Sequence, residues 1–178
     1  MIYIPKRAVF VHIPRAAGNS ITQAVSTVCV GKNIDVFIGT GCHSYENFER
    51  FSRHSTARTL KDTILEWDEI YKFAVIRKDE DRLESAKRLV QRDIERKVYL
   101  DPTCTLDWRD VLISKERQKL VWESFPSNSF FIYGPDGEDL GVETYNFEDL
   151  PNRWHEICDK CQIPRCELPH LNSGYHKK

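Results

Sequence analysis

The segment AVFVHIPRAAGNSITQAV, residues 8–25, constrains this chain most. Its first six residues (8–13) are a short β-branched and aromatic run, the pattern of a strand buried on both faces. After the break at Pro14, Asn19 or Ser20 can cap a helix that carries Ile21, Ala24, Val25 and Val28 on one face. A buried strand running straight into a helix belongs in an open parallel sheet, where ligands bind beyond the carboxyl ends of the strands. Amides at such a helix start, reinforced by its dipole, favour an anion. Arg15 adds a fixed charge, Ser20 a hydroxyl, and Ala16, Ala17, Gly18 and Asn19 the main chain; Gly18 lets that main chain come close. The loop is not of the Walker A kind. Gly18-Asn19-Ser20 stands where that motif ends in Gly-Lys-Ser/Thr, and Ile13 stands where its first glycine belongs.

The remaining pattern alternates strands and helices. The N-terminal stretch 1–13 reads as the first strand of the domain, and IDVFI (34–38) as a second. A helix opens at Ser55-Thr56, runs through Leu60, Ile64 and Leu65 and ends near Trp67. KFAVIR (72–77) is a third strand, followed by a long helix over 81–99 with Leu83, Ala86, Leu89, Val90 and Ile94 at helical spacing. A helix over 114–125, a strand over 129–133 (SFFIY), a turn over 134–141, a strand over 142–147 and a helix over 150–162 complete the chain. This order predicts an α/β fold, a three-layer sandwich with a P-loop-like, mainly parallel central sheet. With 178 residues, 40% of them hydrophobic, the chain can bury one sizeable core, so 1–178 reads as a single domain. A net charge of -1 gives no global signal for a nucleic-acid partner. No apolar run approaches the roughly 20 residues that span a bilayer.

Three blocks, in order, resemble the carbohydrate sulfotransferases, in the branch of the heparan sulfate 2-O- and chondroitin sulfotransferases and their small bacterial relatives. His12-Ile-Pro-Arg-Ala-Ala-Gly-Asn-Ser20 is similar to the family's HIPK-[TA]-[AG]-G-[TN]-S loop, which binds the 5′-phosphosulfate of 3′-phosphoadenosine 5′-phosphosulfate (PAPS). The run from Arg53 to Leu89 is similar to a HATAR-type helix, a strand and the 3′-phosphate motif VRNPxxRLVSAY. Leu168-Pro-His-Leu-Asn172 resembles the LPHxN segment. The resemblance implies a PAPS-dependent sulfotransferase that yields adenosine 3′,5′-bisphosphate (PAP), requires no metal and acts on a hydroxyl of a small molecule or glycan. It puts Arg77 and Ser85 on the 3′-phosphate, and Arg15 to Ser20 on the phosphosulfate. Arg15 stands in place of the family's loop lysine, and Lys78-Asp79 in place of its Asn-Pro.

Such a transfer needs a base for the acceptor hydroxyl. His54, ahead of the Ser55-Thr56 cap, matches the position of the catalytic histidine in the 2-O branch; His43 and His12 are the alternatives. Two other functions stay open: a non-catalytic PAPS- or PAP-binding module, and a P-loop kinase of small molecules. Tyr99 and Trp108 are candidates to stack on an acceptor sugar. Cys158, Cys161, Cys166 and His170 have the ligand types of a zinc site but not a standard spacing; the three cysteines read as apolar thiols, and the resemblance accounts for His170 without a metal. Scattered cysteines in a chain with a real core suit a reducing, cytoplasmic setting.

Overall fold

The computed structural model describes residues 1–39 and 52–170, so His43 and Cys42 lie outside the described residues, as do Leu171 and Asn172. Where one strand is expected at the N-terminus, the chain makes two. Ile2–Ile4 (β1) and Ala8–Val11 (β2) form an antiparallel hairpin with Ile4 opposite Ala8 and Ile2 opposite Phe10. Pro5 fixes its own φ and offers no donor, which ends the first strand. Lys6 then turns through a left-handed φ of 59°, and the Arg7 amide closes the turn on the Ile4 carbonyl at 3.0 Å.

All four residues of β2 are buried, as a strand covered on both faces requires. Gly18–Gly31 (α1) follows and buries Ile21, Ala24, Val25 and Cys29. Phe37–Ile38 (β3), shorter than the expected strand, pairs antiparallel with β1. Ala57–Lys61 (α2) is capped by Thr56, whose hydroxyl accepts from the Thr59 amide at 3.3 Å. The helix expected to reach Trp67 stops at Lys61. Thr63 donates its hydroxyl to the Thr59 carbonyl at 2.7 Å and its amide to Leu60, which tightens the chain into turns. Ile64 and Trp67 still reach the core, while Leu65 is fully exposed.

Tyr71–Ile76 (β4) lies parallel to β2, with Phe10 opposite Phe73 and their rings 5.0 Å apart. Asp79–Glu95 (α3) follows, its first turn carrying Asp79, Glu80 and Asp81 where the helix dipole favours them. A 3₁₀ turn at Val98–Leu100 leads to Leu106–Ile113 (α4), Lys115–Glu123 (α5) and Asn128–Ile132 (α6). Of these, α5 is the expected helix and α4 has no counterpart among the expected elements. α6 replaces the strand expected over 129–133: the Ser127 hydroxyl caps it by accepting from the Phe130 amide at 3.4 Å. Glu143–Asn146 (β5) pairs parallel with β4, and Leu150–Lys160 (α7) follows it.

The described sheet has the order β3-β1-β2-β4-β5. It is mixed, with two parallel pairings and two antiparallel ones, rather than mainly parallel. The hairpin that the Pro5-Lys6-Arg7 turn creates is the reason. Among the described residues no helix is long and apolar enough to cross a membrane. For function, the central pair matters most: β2 and β4 run the same way, so the loops after Val11 and Ile76 leave the same edge of the sheet side by side.

Trp154 of α7 is almost wholly buried, and its indole N–H donates to the Cys166 carbonyl at 2.8 Å. Trp154→Ala should cost about 3–5 kcal/mol in urea unfolding, as large aromatic truncations in cores do. Trp154→Phe should cost less, keeping most of the buried area and losing the hydrogen bond.

Candidate functional site

The loop between β2 and α1 is built around a buried histidine. His12 is only 4% exposed and stacks on Phe10. Burial holds it well below the ordinary imidazole range, and the charges of His54, the N-terminal amine, Arg53 and Arg15 add to that. It is therefore a neutral packing residue at neutral pH, not an accessible base. Its ring explains Gly18: a Cβ there would lie 1.7 Å from His12 Nε2. Gly18 thus makes room for a side chain of the protein itself.

Beyond Pro14, Arg15 and Ala17 both adopt left-handed backbone, with φ of 67° and 62°. Neither is glycine, so each conformation costs about 1 kcal/mol and has to be held by its surroundings. Ala17, not Asn19 or Ser20, occupies the N-cap position of α1, and no side chain caps that helix. Ala16 and Ser20 are buried, while Asn19 is exposed. The loop residues expected to face an anion therefore offer it main chain more than side chain.

The first structural consequence is a direct link between the two predicted half-sites. Arg15 donates from Nε and Nη2 to the Ser85 hydroxyl, at 3.1 and 3.0 Å. Ser85 lies in the second turn of α3, so the bond joins the loop after β2 to the helix after β4. The Ser85 oxygen accepts from the guanidinium and keeps its own hydrogen to donate.

The second consequence is an accumulation of positive charge. Burial lowers the Arg15 pKa most, followed by Arg92 and Arg77 and more weakly Arg88; Asp93 opposes them. Arg92 is held by Asp93, with Nε and Nη2 at 2.9 and 2.8 Å from the same carboxylate oxygen. Arg77 rests its guanidinium on the Phe147 ring, 4.7 Å from the ring centre. Its Nε is buried with no hydrogen-bond partner among the described residues. A donor left in that state costs free energy until a ligand or water accepts from it.

His54 is half-buried next to this loop, with its ring edge-on to His12 at 4.7 Å. Its Nδ1 lies 3.1 Å from the His12 carbonyl. A carbonyl oxygen can only accept, so Nδ1 carries the hydrogen and Nε2 is the basic nitrogen of the neutral ring. The first residue of the loop after β2 thus sets which nitrogen of His54 holds the lone pair.

Three residues of this neighbourhood escaped the sequence reading. Arg88 and Arg92 follow Ser85 by three and seven positions, which puts all three on one helical flank, so the spacing itself was a usable signal. Arg82 had a signal of another kind, standing at the second arginine of the VRNPxxRLVSAY motif that this run resembles. It is fully buried and donates to the Pro14 and Pro126 carbonyls and to Asp79. The carboxylates of this stretch have their own partners or face outward. Asp79, Glu80 and Glu84 are exposed, Asp79 pairs with Arg82 and Glu84 with Lys87.

The other candidates are more ordinary. Tyr99 sits in the 3₁₀ turn and Trp108 in α4, both half-buried. Cys158 and Cys161 are buried core thiols that burial pushes up from the ordinary thiol range. Among the described residues no cluster of three or more His, Cys, Asp or Glu side chains could hold a metal ion. No protein-family model matches the chain, and no curated protein or solved structure shows significant similarity to it.

Gly18→Ala should destabilise the protein by about 3 kcal/mol, the upper range for overpacking, because a methyl group meets the His12 ring. Combining it with His12→Ala should recover part of that loss in urea unfolding. The two changes will then be non-additive, as side chains in direct contact are.

Proposed function

We propose that the protein is a PAPS-dependent sulfotransferase, built on a three-layer α/β sandwich with a P-loop-like sheet and working on a hydroxyl acceptor, a carbohydrate being the preferred class. The observation that carries this reading is the setting of Arg15. A half-buried guanidinium bonded to Ser85 within electrostatic reach of three more arginines is a site that an anion would relieve. The three sequence blocks that resemble the sulfotransferase family name the anion as the phosphates of PAPS. Both loops that carry these groups leave one edge of the sheet, where ligands of such folds bind.

In this reading the main chain from Arg15 to Ser20 and the Arg15 side chain hold the phosphosulfate, while Arg77 and Ser85 hold the 3′-phosphate. An acceptor oxygen attacks sulfur, the bond from sulfur to the bridging oxygen breaks, and PAP leaves. His54 Nε2 takes the acceptor's proton. Arg15 offsets the charge that develops on the leaving phosphate. Fixed positions for both partners supply much of the rate. A cytoplasmic setting completes the proposal; the described cysteines, Cys29, Cys104, Cys158, Cys161 and Cys166, are all free thiols.

One observation favours a second reading, a module that binds PAP without turning over. Arg15 commits both its Nε and an Nη to Ser85, whereas transfer calls on a donor aimed at the bridging oxygen. Sulfate transfer from labelled PAPS onto a panel of glycans and small hydroxyl compounds separates the two. As an enzyme, the protein should lose roughly 10²–10⁴-fold in rate in His54→Ala, the usual worth of a general base, with PAP affinity unchanged. Arg15→Ala should weaken PAP itself by about tenfold or more. PAP binding without transfer to any acceptor selects the module.

A further inference from the structure

We infer that Arg82 is a positioning residue for the anion site: its hydrogen bond to the Pro14 carbonyl sets the backbone of Arg15 and thereby aims the Arg15 side chain at Ser85. The inference rests on the reading of Arg15 as an anion-binding residue and extends it to a side chain that cannot touch the ligand.

Arg82 is fully buried in α3, where an unpaired guanidinium would be prohibitive. Nε donates to Pro14 O at 3.0 Å, and Nη1 donates to Asp79 at 2.7 Å and to Pro126 O at 3.1 Å. The guanidinium carbon lies 5.1 and 5.8 Å from the ring centres of Phe125 and Phe131. Asn128 locks the same junction, its side-chain amide reaching Asp79 and the Arg77 carbonyl, both at 2.7 Å. Arg82 therefore ties together three segments: the anion loop, the start of α3 and the chain leading into α6. An apolar side chain could fill this space with less desolvation. What it could not do is hold the Pro14 carbonyl.

That carbonyl matters because it shares a peptide plane with the Arg15 nitrogen. Rotation about the Arg15 N–Cα bond is φ, so fixing the Pro14 oxygen fixes one side of that torsion. Arg15 sits at a φ of 67°, a conformation a non-glycine residue keeps only when its surroundings enforce it. Three residues beyond Arg82, Ser85 takes the two bonds from Arg15. One helix thus grips the loop twice, by the main chain at Pro14 and by the side chain at Arg15. Released from Arg82, Arg15 would relax toward ordinary backbone and swing its side chain off Ser85.

The test uses PAP affinity by calorimetry in a double-mutant cycle of Arg82→Lys and Arg15→Ala, with Val90→Ala as a control that destabilises α3 without touching the loop. Arg82→Lys keeps the charge and reach toward Asp79 but not the fork that serves two carbonyls. It should weaken PAP by about tenfold, while Val90→Ala changes affinity by less than about twofold. In the Arg15→Ala background, Arg82→Lys should add nothing, because its effect passes through Arg15. Wild-type PAP affinity in Arg82→Lys, or an equal loss with and without Arg15, overturns the inference.

A measurement on the unsubstituted protein covers the case in which Arg82→Lys does not fold. The Arg82 Nε–H resonance should exchange slowly with solvent and shift when PAP saturates the site; an unmoved resonance overturns the inference. If the wild-type protein does not bind PAP, the functional reading itself fails and takes the positioning role with it. Slow exchange of the Nε–H would then still report the grip on Pro14.

Discussion

The parallel pairing of β2 with β4 is the constraint on which the rest of the molecule depends. Val9 beside Lys72 and Val11 beside Ala74 set the two strands in step, with Phe10 packed on Phe73 between them. The two strands end on the same edge, so the loop bearing Arg15 and the helix bearing Ser85 become neighbours although 70 positions separate those residues. A slip of one residue would exchange the side chains between the two faces and part Phe10 from Phe73. The core and the site are therefore specified by the same register.

Three layers of support converge on one loop. His12 fills the space that Gly18 leaves and presents its carbonyl to His54. Arg82 grips Pro14 from below, and Ser85 receives Arg15 from the side. The left-handed residues Arg15 and Ala17 lie between these contacts. Among the described residues the arrangement gathers Arg77, Arg88 and Arg92 around Arg15, with Asp93, which Arg92 engages, opposing them. Strained backbone and gathered positive charge at one spot are the features on which the proposed anion site rests.

Local pattern carried the reading of the sequence well wherever the fold is locally determined. The apolar run before Pro14, the helix carrying Ile21 and Val25, and the alternation of strand and helix around Arg77 and Ser85 all follow from spacing within a few residues. The failures lie where distant contacts decide. SFFIY has the composition of a strand, yet Ser127 caps a helix there and Asn128 anchors it to Asp79 and Arg77. β1 separates from β2 at the Pro5-Lys6 turn, which a single expected strand over 1–13 concealed, and β3 keeps two residues of the strand expected over 34–38. Arg15 and Ser85 were legible because a loop and a motif contain them. Arg82 lies in the same motif, yet its role was not legible, because no spacing rule distinguishes a fully buried arginine from a solvated one.

The central claim is that Arg77, Ser85 and Arg15 serve a nucleotide with phosphates on both its 3′ and 5′ positions. Calorimetric titration of the protein with PAP and, separately, with adenosine 5′-monophosphate tests it most directly, since the ligands differ only in the 3′-phosphate. The account predicts PAP binding at least about tenfold tighter, the worth of a charge-assisted contact to that group. Equal affinity for the two, or no binding of either, would contradict it.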